Sequence, residues 1–96
     1  LNQMRTQLAA IYKELEASGG PKILDVQTPR IERINNKLAL VIGYTRADFF
    51  GPSPWQVTQY RVPANNQTIE MTLSYRQVDA VIWKPILENV KRSIRF

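Results

Sequence analysis

The sequence predicts an α+β domain: an N-terminal and a C-terminal helix packed on an antiparallel sheet of about four strands, in the order α-β-β-β-β-α, an arrangement like an α/β/α sandwich. Three observations predict it. The two ends carry apolar residues at helical spacing, residues 68–76 alternate strictly between apolar and polar, and Asn-Asn pairs sit between strand-like runs, as short hairpin turns require.

The first element is an amphipathic helix. Leu1, Met4, Leu8, Ile11, Tyr12 and Leu15 form the stripe expected to be buried, with Asn2, Arg5, Lys13 and Glu16 on the other side. Ser18-Gly19-Gly20-Pro21 ends it, because glycine accepts left-handed angles and proline cannot continue a helix. The chain begins at Leu1, already inside this pattern and without an initiator methionine. We therefore expect a single domain over 1–96, lacking an N-terminal portion of the full protein.

Residues 22–34 read as extended but uneven. Ile23, Leu24 and Val26 favour a strand, and Pro29, which has no amide donor, confines it to an edge or an irregular position. Ile31 and Ile34 differ in parity, which suggests a bulge between them. Asn35-Asn36 is the next turn. Lys37 to Arg46 is apolar on both faces, Leu38, Leu40, Ile42 and Tyr44 against Ala39, Val41, Gly43 and Thr45, so cover is expected on each side. A loop over 48–54 leads to a strand from Trp55 to Val62, closed by Pro63, and Asn65-Asn66 turns into Thr68–Arg76. There Ile69, Met71, Leu73 and Tyr75 point to one face. In the last helix Asp79 caps a short first turn and Pro85 opens the main body. Trp83, Ile86, Leu87, Val90 and Ile94 are expected to be buried, and Lys91, Arg92 and Arg95 complement the dipole at its end.

Composition narrows the chemistry. The 96 residues include no cysteine and no histidine, which removes disulfides, thiolate nucleophiles and the commonest general base and metal ligand. No Ser-x-x-Lys spacing occurs, the four glycines form no phosphate-cradling loop, and the eight acidic residues are scattered. The reading is non-enzymatic, with no cofactor and no metal. Net charge is +5, from seven basic against five acidic residues in 1–48 and six against three in 49–96, with no basic run to indicate nucleic acid. No apolar run approaches the roughly 18–20 residues of a membrane helix, so no membrane span is expected. Asn66-Gln67-Thr68 fits the glycosylation pattern, a frequent chance match.

The partner-binding candidates are Phe49, Phe50, Trp55, Tyr60, Arg61 and Arg76. Three large aromatics beside Pro52 and Pro54 in one loop either tuck beneath it as a lid or present an aromatic edge to another protein. Arg46, Arg61 and Arg76 each lie late in a strand, and a basic rim near Tyr60 would need them to meet. Antiparallel neighbours run in opposite directions, so all three cannot share one edge.

Arg33-Ile34-Asn35-Asn36-Lys37-Leu38-Ala39, then Tyr60-Arg61-Val62, Ile69-Glu70-Met71-Thr72-Leu73-Ser74, and a close through Pro85-Ile86-Leu87-Glu88 and Val90 to Ser93-Ile94-Arg95-Phe96, resemble the PsbP/DcrB-like superfamily over residues 30–96. The resemblance is mainly one of hydrophobic pattern. It implies an antiparallel sheet covered by helices, a non-enzymatic role, and a place among groups that include an extrinsic photosystem subunit, bacterial envelope lipoproteins, secretion accessories and a nuclear Ran-binding relative. No functional residue carries over. Members of the group usually have a further strand pair before the first helix. The rival topology is cystatin-like, against which the C-terminal helix counts. The expected function is therefore a protein-binding or accessory domain of the bacterial cell envelope, periplasmic or envelope-located. The alternative is a small-ligand or lipid pocket between sheet and helix, lined by Tyr44, Tyr75 and Trp83.

Overall fold

In the computed structural model, which describes residues 1–95, helix α1 (Asn2–Ala17) precedes strands β1 (Ile23–Val26), β2 (Arg30–Ile34), β3 (Lys37–Arg46), β4 (Trp55–Ala64) and β5 (Gln67–Arg76). A short 3-10 turn (Gln77–Asp79) then leads into helix α2 (Ala80–Ser93). The α+β class and the open antiparallel sheet are as the sequence indicates.

The sheet runs β1-β3-β4-β5, with β2 also pairing with β3, so the segment read as one uneven strand is two. β1 lies along the end of β3 (Val26 opposite Tyr44), and β2 lies along its beginning (Ile34 opposite Lys37). The break is at buried Pro29, whose missing donor cannot serve a ladder. The expected bulge between Ile31 and Ile34 is absent: β2 pairs in unbroken register from Arg30 to Ile34, and the two isoleucines differ in parity because they occupy opposite faces. The irregularity lies instead between Ile23 and Asp25. β4 continues through Pro63, which is tolerated because pairing with β3 ends at Leu40–Arg61 and no donor is needed on that side.

Both asparagine turns form. Asn35 and Asn36 take φ of 45° and 70°, the two positive angles that let a two-residue loop follow the twist of its strands, and Asn65 takes 56°. α1 ends in a Schellman arrangement: Gly19, at φ 98°, donates to Glu16 O and Gly20 donates to Leu15 O at 3.0 Å.

Strand alternation sorts the sheet into two faces. Ile34, Ala39, Val41, Tyr60 and Val62 form the buried cluster on one, joined by Met71 and Leu73. α2 crosses this face. Lys91 near its end reaches Glu32 of β2 at 2.5 Å, and Asn35 Nδ2 donates to Arg92 O at 3.0 Å and also to Ile94 O. α1 lies against the opposite face beside β1, where the Tyr12 and Tyr44 rings stand 4.7 Å apart.

Two helical expectations need correction. α1 has no buried residue: Met4, Leu8 and Tyr12 are half-buried, whereas Leu1, Ile11 and Leu15 are exposed. Its docking is largely polar, with Arg5 Nε donating to Val26 O at 2.7 Å and Glu16 accepting from the Ile23 amide at 2.8 Å. Of the expected stripe only Leu87 and, just past the end of α2, Ile94 are half-buried, and Trp83, Ile86 and Val90 remain exposed. The ion pair at Lys91 and the hydrogen bonds from Asn35 set the helix's roll, so its apolar arc does not point straight at the sheet. Pro85 lies inside α2 rather than at its first position.

Candidate functional site

The β3–β4 loop projects from one end of the sheet. β3 and β5 run the same way, antiparallel to β4 between them, and the register places Arg46 opposite Trp55 and Trp55 opposite Arg76. The three side chains therefore stand on one face as a ladder, with the Arg46 and Arg76 guanidinium carbons 5.1 and 5.6 Å from the Trp55 ring centroid. Cations on both sides of an indole hold it by its electron-rich face.

Asp48 fastens the loop to this base. The Phe50 amide donates to Asp48 Oδ1 at 3.1 Å, and Arg76 Nε lies 3.9 Å from Asp48 Oδ2. The amide is the main reason the Asp48 carboxyl titrates below its ordinary value; the Trp55 indole and nearby arginines add to it and outweigh partial desolvation. Above the anchor, Phe49 is 65% exposed and Phe50 98% exposed, their ring centroids 6.3 Å apart. They do not tuck beneath the loop. Trp55 is the partly covered member of the trio.

Four of the six candidates, Phe49, Phe50, Trp55 and Arg76, come together at this corner, with Arg46 as a fifth member. Tyr60 and Arg61 do not join them. Tyr60 is 6% exposed, inside the core beneath Lys91, whose Nζ is 5.7 Å from its ring; burial raises its hydroxyl pKa. Arg61, the next residue, points to the opposite face, where its Nε lies 3.0 Å from Glu70 Oε1 without a hydrogen bond to it. Consecutive strand residues face opposite sides, so Tyr60 and Arg61 cannot share a rim.

The expected ligand pocket also changes composition. A cleft of about 290 Å³ does lie between the sheet and α2, and Tyr75, Leu73 and Lys84 line it. Tyr44 is on the other face against Tyr12, and Trp83 is outside the cleft lining.

One polar feature has no motif in the sequence. At the end of the sheet near β1, Gln56 Nε2 donates to Gln27 Oε1 at 3.0 Å, Gln27 Nε2 donates to Asp25 Oδ2 at 3.0 Å, and Thr45 Oγ1 lies 3.3 Å from Gln56 Oε1. These side chains close over Gly43, where a Cβ would come within 2.7 Å of Gln27 Oε1. Only the strand register reveals the cluster. Among the described residues no group of three or more carboxylates is placed to hold a metal ion, and no helix is long and apolar enough to cross a membrane.

Comparison with protein-family models, with curated proteins and with solved structures finds no match.

Proposed function

We propose that this chain is a non-enzymatic protein-binding or accessory domain of the bacterial cell envelope, and that it grips its partner with the β3–β4 corner. The observation that carries the reading is the exposure of two adjacent phenylalanines, Phe49 and Phe50, on a loop anchored by Asp48. Exposed aromatic rings on a fixed base suit a contact in which they become buried, and the flanking arginines suit an acidic surround. The non-enzymatic part rests on the absence of histidine and cysteine. The envelope part rests on the resemblance of residues 30–96 to the PsbP/DcrB-like pattern.

The test is a paired capture from envelope extract with the wild-type domain and a Phe49→Ser/Phe50→Ser double variant. Because both rings are exposed, the variant should unfold within about 0.5 kcal/mol of wild type. We expect it to lose the bound protein. Undiminished capture by a folded variant removes the corner from the assignment.

The cleft beneath α2 favours one second reading, binding of a small ligand with an aromatic or aliphatic body. Native mass spectrometry of freshly purified protein checks it: a carried ligand supports the reading, and a clean apo mass counts against it.

A further inference from the structure

The two edges of the sheet are built differently. On the β1/β2 side the edge is broken at Pro29, irregular between Ile23 and Asp25, and charged at Arg30, Glu32 and Arg33. Those are the devices by which proteins discourage strand addition. β5 is neither broken nor bulged, and its only charges are Glu70 and Arg76. It is ten residues long, Gln67–Arg76, contains no proline or lysine, and among the described residues pairs only with β4. Such an edge invites another strand.

The sequence of β5 is complementary to itself in one register. In a two-fold antiparallel pairing, facing residues have numbers with a constant even sum, because facing side chains must share a face of the sheet. Centring the axis on Leu73 sets Glu70 opposite Arg76, Thr72 opposite Ser74 and Met71 opposite Tyr75, each twice. Centring it on Glu70 would set like charges together. Centring it on Met71, Thr72 or Ser74 leaves Glu70 and Arg76 without their opposites. Opposite charges and Thr–Ser pairs facing each other across strands are the favourable combinations.

α2 also leaves apolar side chains uncovered. At 100° per residue Trp83, Ile86 and Val90 fall on the flank of α2 away from Lys84 and Glu88, which line the cleft, and each is 42–44% exposed. The register centred on Leu73 sets Gln77 opposite Ile69 of the second copy. The exposed Val78, next after Gln77, then comes beside that isoleucine, and the exposed Val81 and Ile82 follow in the first turn of α2.

From these features we infer that the chain forms a two-fold dimer through β5, joining two five-stranded sheets into one, with the starts of the two α2 helices closing over the seam. The occupant of the edge is a second copy of this chain. The interface shares Arg76 with the base of the β3–β4 corner but leaves the Phe49–Phe50 tip free, and it does not depend on the tip's proposed role.

The test is charge reversal read by analytical ultracentrifugation. Within one chain Glu70 pairs with Arg61 and Arg76 with Asp48, so exchanging the two charges restores neither internal pair. It restores only Glu70–Arg76 contacts between copies. The wild type should dimerise, and Glu70→Arg alone and Arg76→Glu alone should each weaken dimerisation at least tenfold. The double variant E70R/R76E should recover it, with circular dichroism confirming the fold of each protein. A wild type that stays monomeric up to millimolar concentration overturns the inference and leaves the edge to a strand of a different protein. A dimer indifferent to both single reversals, or a folded double variant that stays monomeric, overturns it too.

Discussion

At the scale of single residues, Lys91 ties the C-terminal helix to β2, 59 residues earlier in the chain. It is buried, and burial opposes its charge. Hydrogen bonds to Glu32 Oε1 at 2.5 Å and Glu88 Oε1 at 2.8 Å outweigh that, so its pKa is raised. The same hydrogen bond lowers the pKa of Glu88, and burial raises that of Tyr60 beneath the ammonium. The signs fix the pH response. A raised folded pKa on Lys91 and Tyr60 gives stability fully present below their unfolded values, about 10, and lost as pH rises through the folded ones. A lowered pKa on Glu88 gives stability present above its unfolded value and lost as pH falls through the folded one. Urea unfolding should therefore show a plateau near neutrality with a fall on each side. Lys91→Met should lower stability at pH 7 by about 2 kcal/mol, because Glu32 loses its partner, and should flatten the alkaline fall. A variant as stable as wild type would show that the pair contributes nothing.

At the scale of elements, the two residues of the β2–β3 turn share a sign of φ but differ in what their side chains do. Asn36, at φ 70°, makes no side-chain hydrogen bond among the described residues, whereas Asn35 Nδ2 holds the carbonyls at the end of α2. Asn36→Gly should raise stability by a few tenths to about 1 kcal/mol by relieving the left-handed backbone. Asn35→Gly should lower it by roughly 0.5–1 kcal/mol, because the lost hydrogen bonds exceed that relief. Thermal melts of the two variants moving the same way would refute the division of labour. This turn also marks how far the sequence could be read. Asparagine pairs, the alternation of 68–76 and the helix-ending glycines act through local backbone geometry, so the turns, β5 and the end of α1 were legible. The roll of α2 was not, since contacts from Glu32 and Asn35 to residues 57–59 positions away set it. The aromatic loop was legible from composition, but the Arg46–Trp55–Arg76 ladder needed the register of three strands. Separating Tyr60 from Arg61 needed only alternation, which applies to any strand, including Trp55–Val62.

At the scale of the whole molecule, cohesion is concentrated in the sheet. The molecule is a slab of 37 × 32 × 21 Å, and β3 and β4 supply Val41, Ile42, Val57, Tyr60 and Val62 to its buried interior. α1 supplies no buried residue and is attached by the Arg5 and Glu16 hydrogen bonds and the Tyr12–Tyr44 contact. Hydrogen bonds on a surface contribute less than buried apolar area, so α1 should open without the sheet. Native-state hydrogen exchange in low urea distinguishes the cases. Amides of α1 should exchange through a local opening several kcal/mol below global unfolding, nearly independent of urea, while those in the middle of β3 and β4 exchange only with the whole molecule. Tyr12→Ala should lower the opening free energy of α1 and leave β3 and β4 nearly unchanged. If α1 and β3 instead share one free energy and one urea dependence, the helix belongs to the cooperative core. Its few polar contacts would then be holding far more than their exposure allows.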